Sequence, residues 1–114
     1  MDKYFSIEKQ KDIFIVTLLF SELSMEEADH FKEELYNLIT DSDKKFLVDM
    51  HKCNFFPSLA LSIIINFNAK VNEKGGKAIF CCLTEPVKSI FKITKLNQIL
   101  TIQDSQEHAI KSIG

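Results

Sequence analysis

The sequence predicts a single α/β domain in which strands alternate with helices, and three observations support this. The chain has 114 residues, enough for one hydrophobic core but too few for two well-filled ones. Ten phenylalanines against three glycines and two prolines exclude a disordered polypeptide. Short apolar runs alternate with segments of helical periodicity in the order ββαβαβαβα. We therefore expect one domain over residues 1–114, with a mixed, mostly parallel sheet of four to five strands and about four helices.

The first two strands are predicted over residues 4–8 and 13–19, joined as a hairpin by the polar residues 9–12. A helix over 25–39 follows, because Ser24 and Glu27 form a capping-box pattern in front of it. Its apolar face repeats at helical spacing and consists of Ala28, Phe31, Leu35 and Leu38. The break after this helix is assigned to Asp41–Asp43, and the third strand to residues 46–50.

The second helix is predicted over residues 58–74, because the segment is too long for an ordinary strand and Gly75 provides a stop. At 100° per residue, one face should be buried and comprises Ala60, Ile64, Phe67 and Val71. The opposite face should be exposed and comprises Ser62, Asn66, Lys70 and Glu73, with Leu59 among them and Ile63 beside it.

The remaining chain reads as a buried strand over 78–83, a short helix, an edge strand over 99–102 and a last helix. Thr84 is the predicted N-cap of the short helix, with Pro86 in its first turn. A second capping-box pattern over Asp104–Glu107 predicts the start of the last helix. Such short crossovers favour a single layer of helices on one face of the sheet, although the pattern alone does not exclude helices on both faces.

The charge pattern argues against nucleic acid as a partner. All fourteen basic residues are lysines, arginine is absent, and the net charge is −2. No apolar stretch approaches the roughly 18–20 residues that cross a bilayer. The first four residues, 1–4, lead into no apolar segment of a secretory signal. We expect a cytoplasmic protein with no direct membrane insertion.

No pattern of catalytic, cofactor-binding or metal-ligating residues stands out, so we expect no enzyme, cofactor or metal. The cysteines Cys53, Cys81 and Cys82 lack metal-ligand spacing. Neighbours on a strand point to opposite faces, so Cys81 and Cys82 are predicted to be core residues rather than a redox pair.

Five segments in this order resemble the STAS domain, the family of sulfate transporters and anti-sigma-factor antagonists. The segments are Ser21–Leu23, Phe46–Met50, Phe55–Leu61, Gly75–Lys77, and Glu85–Lys88 with Phe91. They cover nearly the whole chain. The resemblance implies that Asp49, at the end of a strand, organises the loop that follows it.

For the bacterial branch of this family, the resemblance implies an anti-sigma factor antagonist that acts by partner switching. Such a protein binds a kinase-type anti-sigma factor or a related switch protein until a hydroxyl at the start of the second helix is phosphorylated. The alternative is a non-switching STAS subunit of a membrane-associated ABC lipid-transport complex. The oligomeric state stays open.

The phosphorylation motif is altered in this sequence. Leu59 replaces the usual phosphoacceptor, Pro57 the preceding aspartate and Ala60 the following glycine, so that only Ser58 keeps its hydroxyl. Ser58 is the phosphorylation candidate, but an N-cap role is favoured for it. We expect Leu59 and Ile63 to form an exposed apolar pair. The predicted partner-binding residues are Phe56, Pro57, Ser58, Leu59, Ser62 and Ile63.

Overall fold

A computed structural model describes residues 4–41 and 45–113 and confirms the predicted α/β class. The strands are β1 (Phe5–Gln10), β2 (Ile13–Leu18), β3 (Lys45–Asp49), β4 (Lys77–Cys81) and β5 (Thr101–Gln103). The helices are α1 (Met25–Tyr36), α2 (Ser58–Glu73), α3 (Glu85–Ile93) and α4 (Gln106–Ile113), with a 3₁₀ turn at Leu96–Gln98. Residues 1–3, and most of the predicted break at Asp41–Asp43, lie outside the described residues.

The five strands form one sheet in the order β1-β2-β3-β4-β5. β1 and β2 are antiparallel and pair from Phe5 opposite Leu18 to Gln10 opposite Ile13. The hairpin turn is therefore shorter than predicted, and its first residue, Lys11, has a positive φ of 55°. The other neighbouring strands are all parallel, as the alternation of strands and helices predicted.

Helices cover both faces of the sheet, so the expectation of a single helical layer is wrong. Alternate residues of β3 show the division, because Phe46 and Val48 enter one buried cluster and Leu47 enters the other. The larger cluster contains the buried residues of α1, α2 and α3. The smaller one is closed by α4 through Ala109 and Ile113. The last helix is amphipathic, but its periodicity carries no information about which face it covers.

The predicted capping box of α1 is confirmed. The Ser24 hydroxyl accepts from the Glu27 amide at 3.1 Å, and the Glu27 carboxylate accepts from the Ser24 amide at 3.1 Å. The helix ends at Tyr36 rather than at residue 39. Leu38 and Ile39 continue the chain with tighter, three-residue hydrogen bonds to Leu35 and Tyr36.

Two other predicted caps differ in detail. Thr84 occupies the N-cap position of α3, but its hydroxyl donates to the Cys53 carbonyl at 2.7 Å instead of capping the helix. At the start of α4, the hydroxyl that accepts from a helix amide belongs to Ser105, whose partner is His108 at 3.1 Å. The predicted pattern beginning at Asp104 is therefore wrong by one residue.

The prediction that Cys81 and Cys82 point to opposite faces is also wrong. β4 ends at Cys81, and Cys82 adopts a left-handed backbone with φ of 63°. Because the strand alternation stops there, both side chains lie against the smaller cluster, and their Sγ atoms are 3.5 Å apart.

Within the described ranges, no helix is both long enough and apolar enough to cross a membrane.

Candidate docking surface

The loop from β3 to α2 is anchored at its start by the buried Asp49 carboxylate. Oδ1 accepts from the His51 amide at 2.9 Å and lies 2.7 Å from the His51 Nδ1 atom, while Oδ2 accepts from Gln106 Nε2 at 2.6 Å. Burial raises the pKa of Asp49, but these hydrogen bonds together outweigh it and hold the pKa below its ordinary value. The arrangement agrees with the predicted role of Asp49 in organising this loop.

The middle of the same loop is fixed by Cys53. Its carbonyl accepts from the Thr84 hydroxyl, and its buried thiol lies 3.8 Å from the Leu18 carbonyl. Burial raises the pKa of Cys53 to about 11, so the thiol stays protonated at neutral pH. These contacts therefore fix the position of the loop between the end of β3 and the start of α2.

The start of α2 carries no side-chain cap, and the N-cap prediction for Ser58 is wrong. Pro57 is the N-cap, and its carbonyl accepts from the Ala60 amide at 2.9 Å and the Leu61 amide at 3.3 Å. Ser58 already has helical geometry as the first residue of α2. Its hydroxyl oxygen is therefore not placed, as an N-cap oxygen would be, to accept from the amides of the first turn of α2. In the part of the chain that the structure describes, the Ser58 hydroxyl is exposed and makes no hydrogen bond.

The remaining predicted partner-binding residues divide into exposed and buried sets. Leu59 is 40% exposed, and Ser62 is exposed with its hydroxyl donating to the Leu59 carbonyl at 3.2 Å. Pro57 is half-buried. Phe56 is only 2% exposed and Ile63 only 6%. The predicted exposed pair of Leu59 and Ile63 is therefore wrong in its second member, and Phe56 is a core residue.

Ile63 is buried because α1 packs beside α2. The Tyr36 hydroxyl of α1 donates to the Ile63 carbonyl at 3.1 Å. A cleft of about 240 Å³ lies between the two helices, and its lining residues include Ala28, Leu59 and Ile63. Helical periodicity separates the side facing the sheet from the opposite side, but it does not show a second helix covering the flank of the first.

Phe56 and its neighbour Phe55 point in different directions. Phe56 stacks on Phe20 with ring centroids 5.7 Å apart and meets Phe91 edge-on at 6.2 Å. Phe55 is 55% exposed and lines a second cleft beside the first turn of α1, together with Pro57. Sequence reasoning missed Phe55 because a loop has no periodicity that distinguishes an inward from an outward aromatic residue.

These residues define a candidate docking surface. We use the name docking surface for Phe55, Pro57, Ser58, Leu59 and Ser62, together with Met25 of α1, whose side chain is 77% exposed. Glu22 and Glu27 line the cleft beside Phe55 and Pro57, and Asp29 lines the cleft between α1 and α2 together with Lys32. The surface is thus an apolar patch with charged residues of both signs beside it, an arrangement suited to a protein partner with an apolar contact area.

The family model described as "STAS domain" matches residues 4–109, and the chain belongs to this family. The match includes the whole sheet, α1 to α3 and the docking surface.

Its relatives are named as anti-sigma factor antagonists. A Thermotoga neapolitana protein named as a homologue of the anti-sigma factor antagonist TM1081 is 24% identical over 100 residues, which cover 87% of this chain and 88% of that protein. The Thermotoga maritima TM1081 crystal structure matches with a TM-score of 0.83 at 22% identity, covering 96% of this chain and 93% of that one. The Bacillus cell fate determinant SpoIIAA, in a structure of its phosphorylated form, gives a TM-score of 0.70 at 14% identity, with coverages of 96% and 99%.

Proposed function

We propose that this protein is a regulatory binding protein of the anti-sigma factor antagonist type, and that it binds a kinase-type anti-sigma factor through the docking surface. The observation that carries the proposal is the position of Leu59, an exposed leucine on the first turn of α2, where the family's phosphoacceptor is expected. The names of the relatives support the class of partner. We propose that the protein acts by binding its partner and does not catalyse a reaction. We propose that it does so in the cytoplasm.

The apolar side chains of the docking surface would supply much of the affinity. Fully burying a Leu, Met or Phe side chain is worth roughly 1.5–3 kcal/mol. Because Leu59, Phe55 and Met25 are already partly covered by their own chain, each would contribute about 1–2 kcal/mol on binding. Their combined contribution suits a contact that forms and dissociates under regulation rather than a permanent subunit interface.

Ser58 is the proposed site at which a partner kinase would end the contact. Its hydroxyl is exposed and has no capping role that would compete with modification. A phosphate there would bring close to two negative charges onto the apolar docking surface, next to the cleft that Glu22 and Glu27 line with Pro57. The first turn of α2 would tolerate that charge, because a helix N-terminus favours anions. The domain would therefore stay folded, while the apolar contact with the partner would be lost because a phosphate cannot enter it without losing its water.

The binding proposal is tested by recovering partners from the native cell with the wild-type chain, and then measuring the purified complex by calorimetry. A partner with a histidine-kinase-like ATPase domain is expected, and Leu59→Asp should weaken its binding by about tenfold or more, because a carboxylate would lose its water in an apolar contact. Ile99→Asp is the matched control, since Ile99 is 59% exposed near Asn72 at the far end of α2 and should bind as the wild type does. If the specific partner is instead an ABC-transporter ATPase, the proposal is refuted and the transport alternative is supported.

The switch is tested separately by incubating the protein with that kinase partner and ATP and locating phosphate by mass spectrometry. We expect phosphate on Ser58 and its loss in Ser58→Ala. Modification of another hydroxyl, or none at all, would refute the switch at Ser58 while leaving the binding measurement intact.

A further inference from the structure

The backbone at Cys82 is strained in a way that brings two thiols together. Left-handed geometry is uncommon outside Gly, Asn and Asp, and strained residues of this kind cluster at functional sites. Here the positive φ at Cys82 turns its side chain toward the side that Cys81 already faces, which leaves the two Sγ atoms 3.5 Å apart. Cys81 is fully buried, whereas Cys82 is only half-buried and gives the pair a route to solvent.

A third donor lies on the neighbouring strand. Asp49 is paired with Cys81 in the β3–β4 register, and one carboxylate oxygen and the two Sγ atoms all lie within 4.8 Å of one another. The carboxylate is held by His51 on Oδ1 and by Gln106 on Oδ2. Hydrogen bonds of this kind orient metal-ligating carboxylates.

We propose that Cys81, Cys82 and Asp49 form a binding site for a thiophilic divalent cation, of which Zn²⁺ is the type. Two sulfur ligands and a carboxylate oxygen favour Zn²⁺ over Mg²⁺ or Ca²⁺, which take oxygen ligands. Tetrahedral Zn²⁺ with bonds of about 2.3 Å to sulfur requires the two sulfurs to be about 3.8 Å apart. The observed 3.5 Å is close to that separation.

The site would supply three protein ligands and leave the fourth position to water on the half-exposed side of Cys82. On binding, two S–H bonds break and two Zn–S bonds form, so that two protons are released to solvent for each ion. The carboxylate joins in its ionised form. The site lies on the α4 side of the sheet, whereas the docking surface is built on α1, α2 and the loop before α2. The site therefore shares no residue with the docking surface, and Asp49 connects the two because it also anchors the loop before α2.

The test is a calorimetric titration of the reduced wild-type protein, kept in a phosphine reductant without air, with Zn²⁺ alone. We expect one ion per chain, about two protons released per ion in buffers of different ionisation heat, and no comparable binding of Mg²⁺. Co²⁺ should give the absorption band of a metal–thiolate bond.

Two variants make the assignment specific. Cys82→Ser should lower the affinity for Zn²⁺ by at least about tenfold and weaken the thiolate band, because one of the two sulfur ligands is lost. Cys53→Ala is the matched control, because Cys53 lies in the larger cluster on the other side of the sheet and should leave both measurements unchanged. Circular dichroism verifies that both variants are folded. Undiminished affinity for Zn²⁺ in Cys82→Ser, or a wild-type protein that binds no Zn²⁺, would overturn the proposal.

Discussion

The two faces of the sheet differ in how they are filled. On the larger face, aromatic rings pack on one another. Phe31 alone meets Tyr4, Phe5 and Phe20 with ring centroids 6.1, 6.2 and 4.7 Å away. On the smaller face, α4 approaches closely through Ala109, and the buried carboxylate of Asp49 lies at its margin. The larger face thus provides the rigid support from which the docking surface projects, while the smaller face carries the buried carboxylate and the two adjacent cysteines.

The largest expected effect tests the larger face. Phe67 of α2 is fully buried and meets Phe46 of β3 edge-on, with ring centroids 5.3 Å apart. Phe67→Ala should lower the free energy of unfolding by about 3–5 kcal/mol, because it removes a ring and leaves a cavity that rigid neighbours cannot fill. Urea denaturation measures the change. A loss below about 1 kcal/mol would show that this face is loosely packed and that the two faces do not differ in rigidity.

The corresponding change on the smaller face is Ile113→Ala. Ile113 is 2% exposed on the last turn of α4. We expect a loss of about 2–3 kcal/mol, at the lower end for such changes, because a single eight-residue helix can shift to fill the space. An isolated helix of that length is not stable, so α4 should open locally. Hydrogen exchange should then be faster in α4 than in β2 and β3, whereas uniform acceleration across the chain would contradict local opening.

The fold was predictable because local sequence patterns specify its strands and helices. Most of the errors concern features that depend on other parts of the chain. Period-two strands, the Ser24 capping box and the helix stop at Gly75 each depend on a few neighbouring residues. Ile63 was assigned to the wrong environment because its burial depends on α1, a neighbour that periodicity within α2 does not reveal. Cys82 was misjudged because its residue type does not indicate a left-handed backbone. The side of the sheet that α4 covers depends on the path of the chain rather than on the helix's own pattern.

Asp49 gives the third comparison, since a buried carboxylate has no counterpart among the described core residues of the larger face. Asp49→Asn should lower the free energy of unfolding by about 1–2 kcal/mol at pH 7, because an amide cannot accept from both His51 and Gln106. The pKa of Asp49 is lowered in the folded chain from 3.8. Its contribution is therefore complete above pH 3.8 and is lost as the pH falls through the folded value.

The variant and the wild type should therefore differ in their response to acid. Urea denaturation at pH 7 and again below pH 3.8 should show the gap between the two proteins narrowing as Asp49 takes up its proton. A gap that stays constant with pH would mean that the carboxylate's charge contributes nothing to folding.

The smallest expected effect lies on the docking surface and separates binding from stability. Leu59→Ala should change the free energy of unfolding by less than about 0.5 kcal/mol, because the side chain is already 40% exposed. Ile63→Ala, one turn later on the same helix, is the matched comparison and should cost about 2–3 kcal/mol, since Ile63 is covered by α1. Thermal and urea denaturation of the pair measure the difference. Equal losses would mean that Leu59 is a packing residue of the α1–α2 contact, and the docking surface would then lose its central apolar side chain.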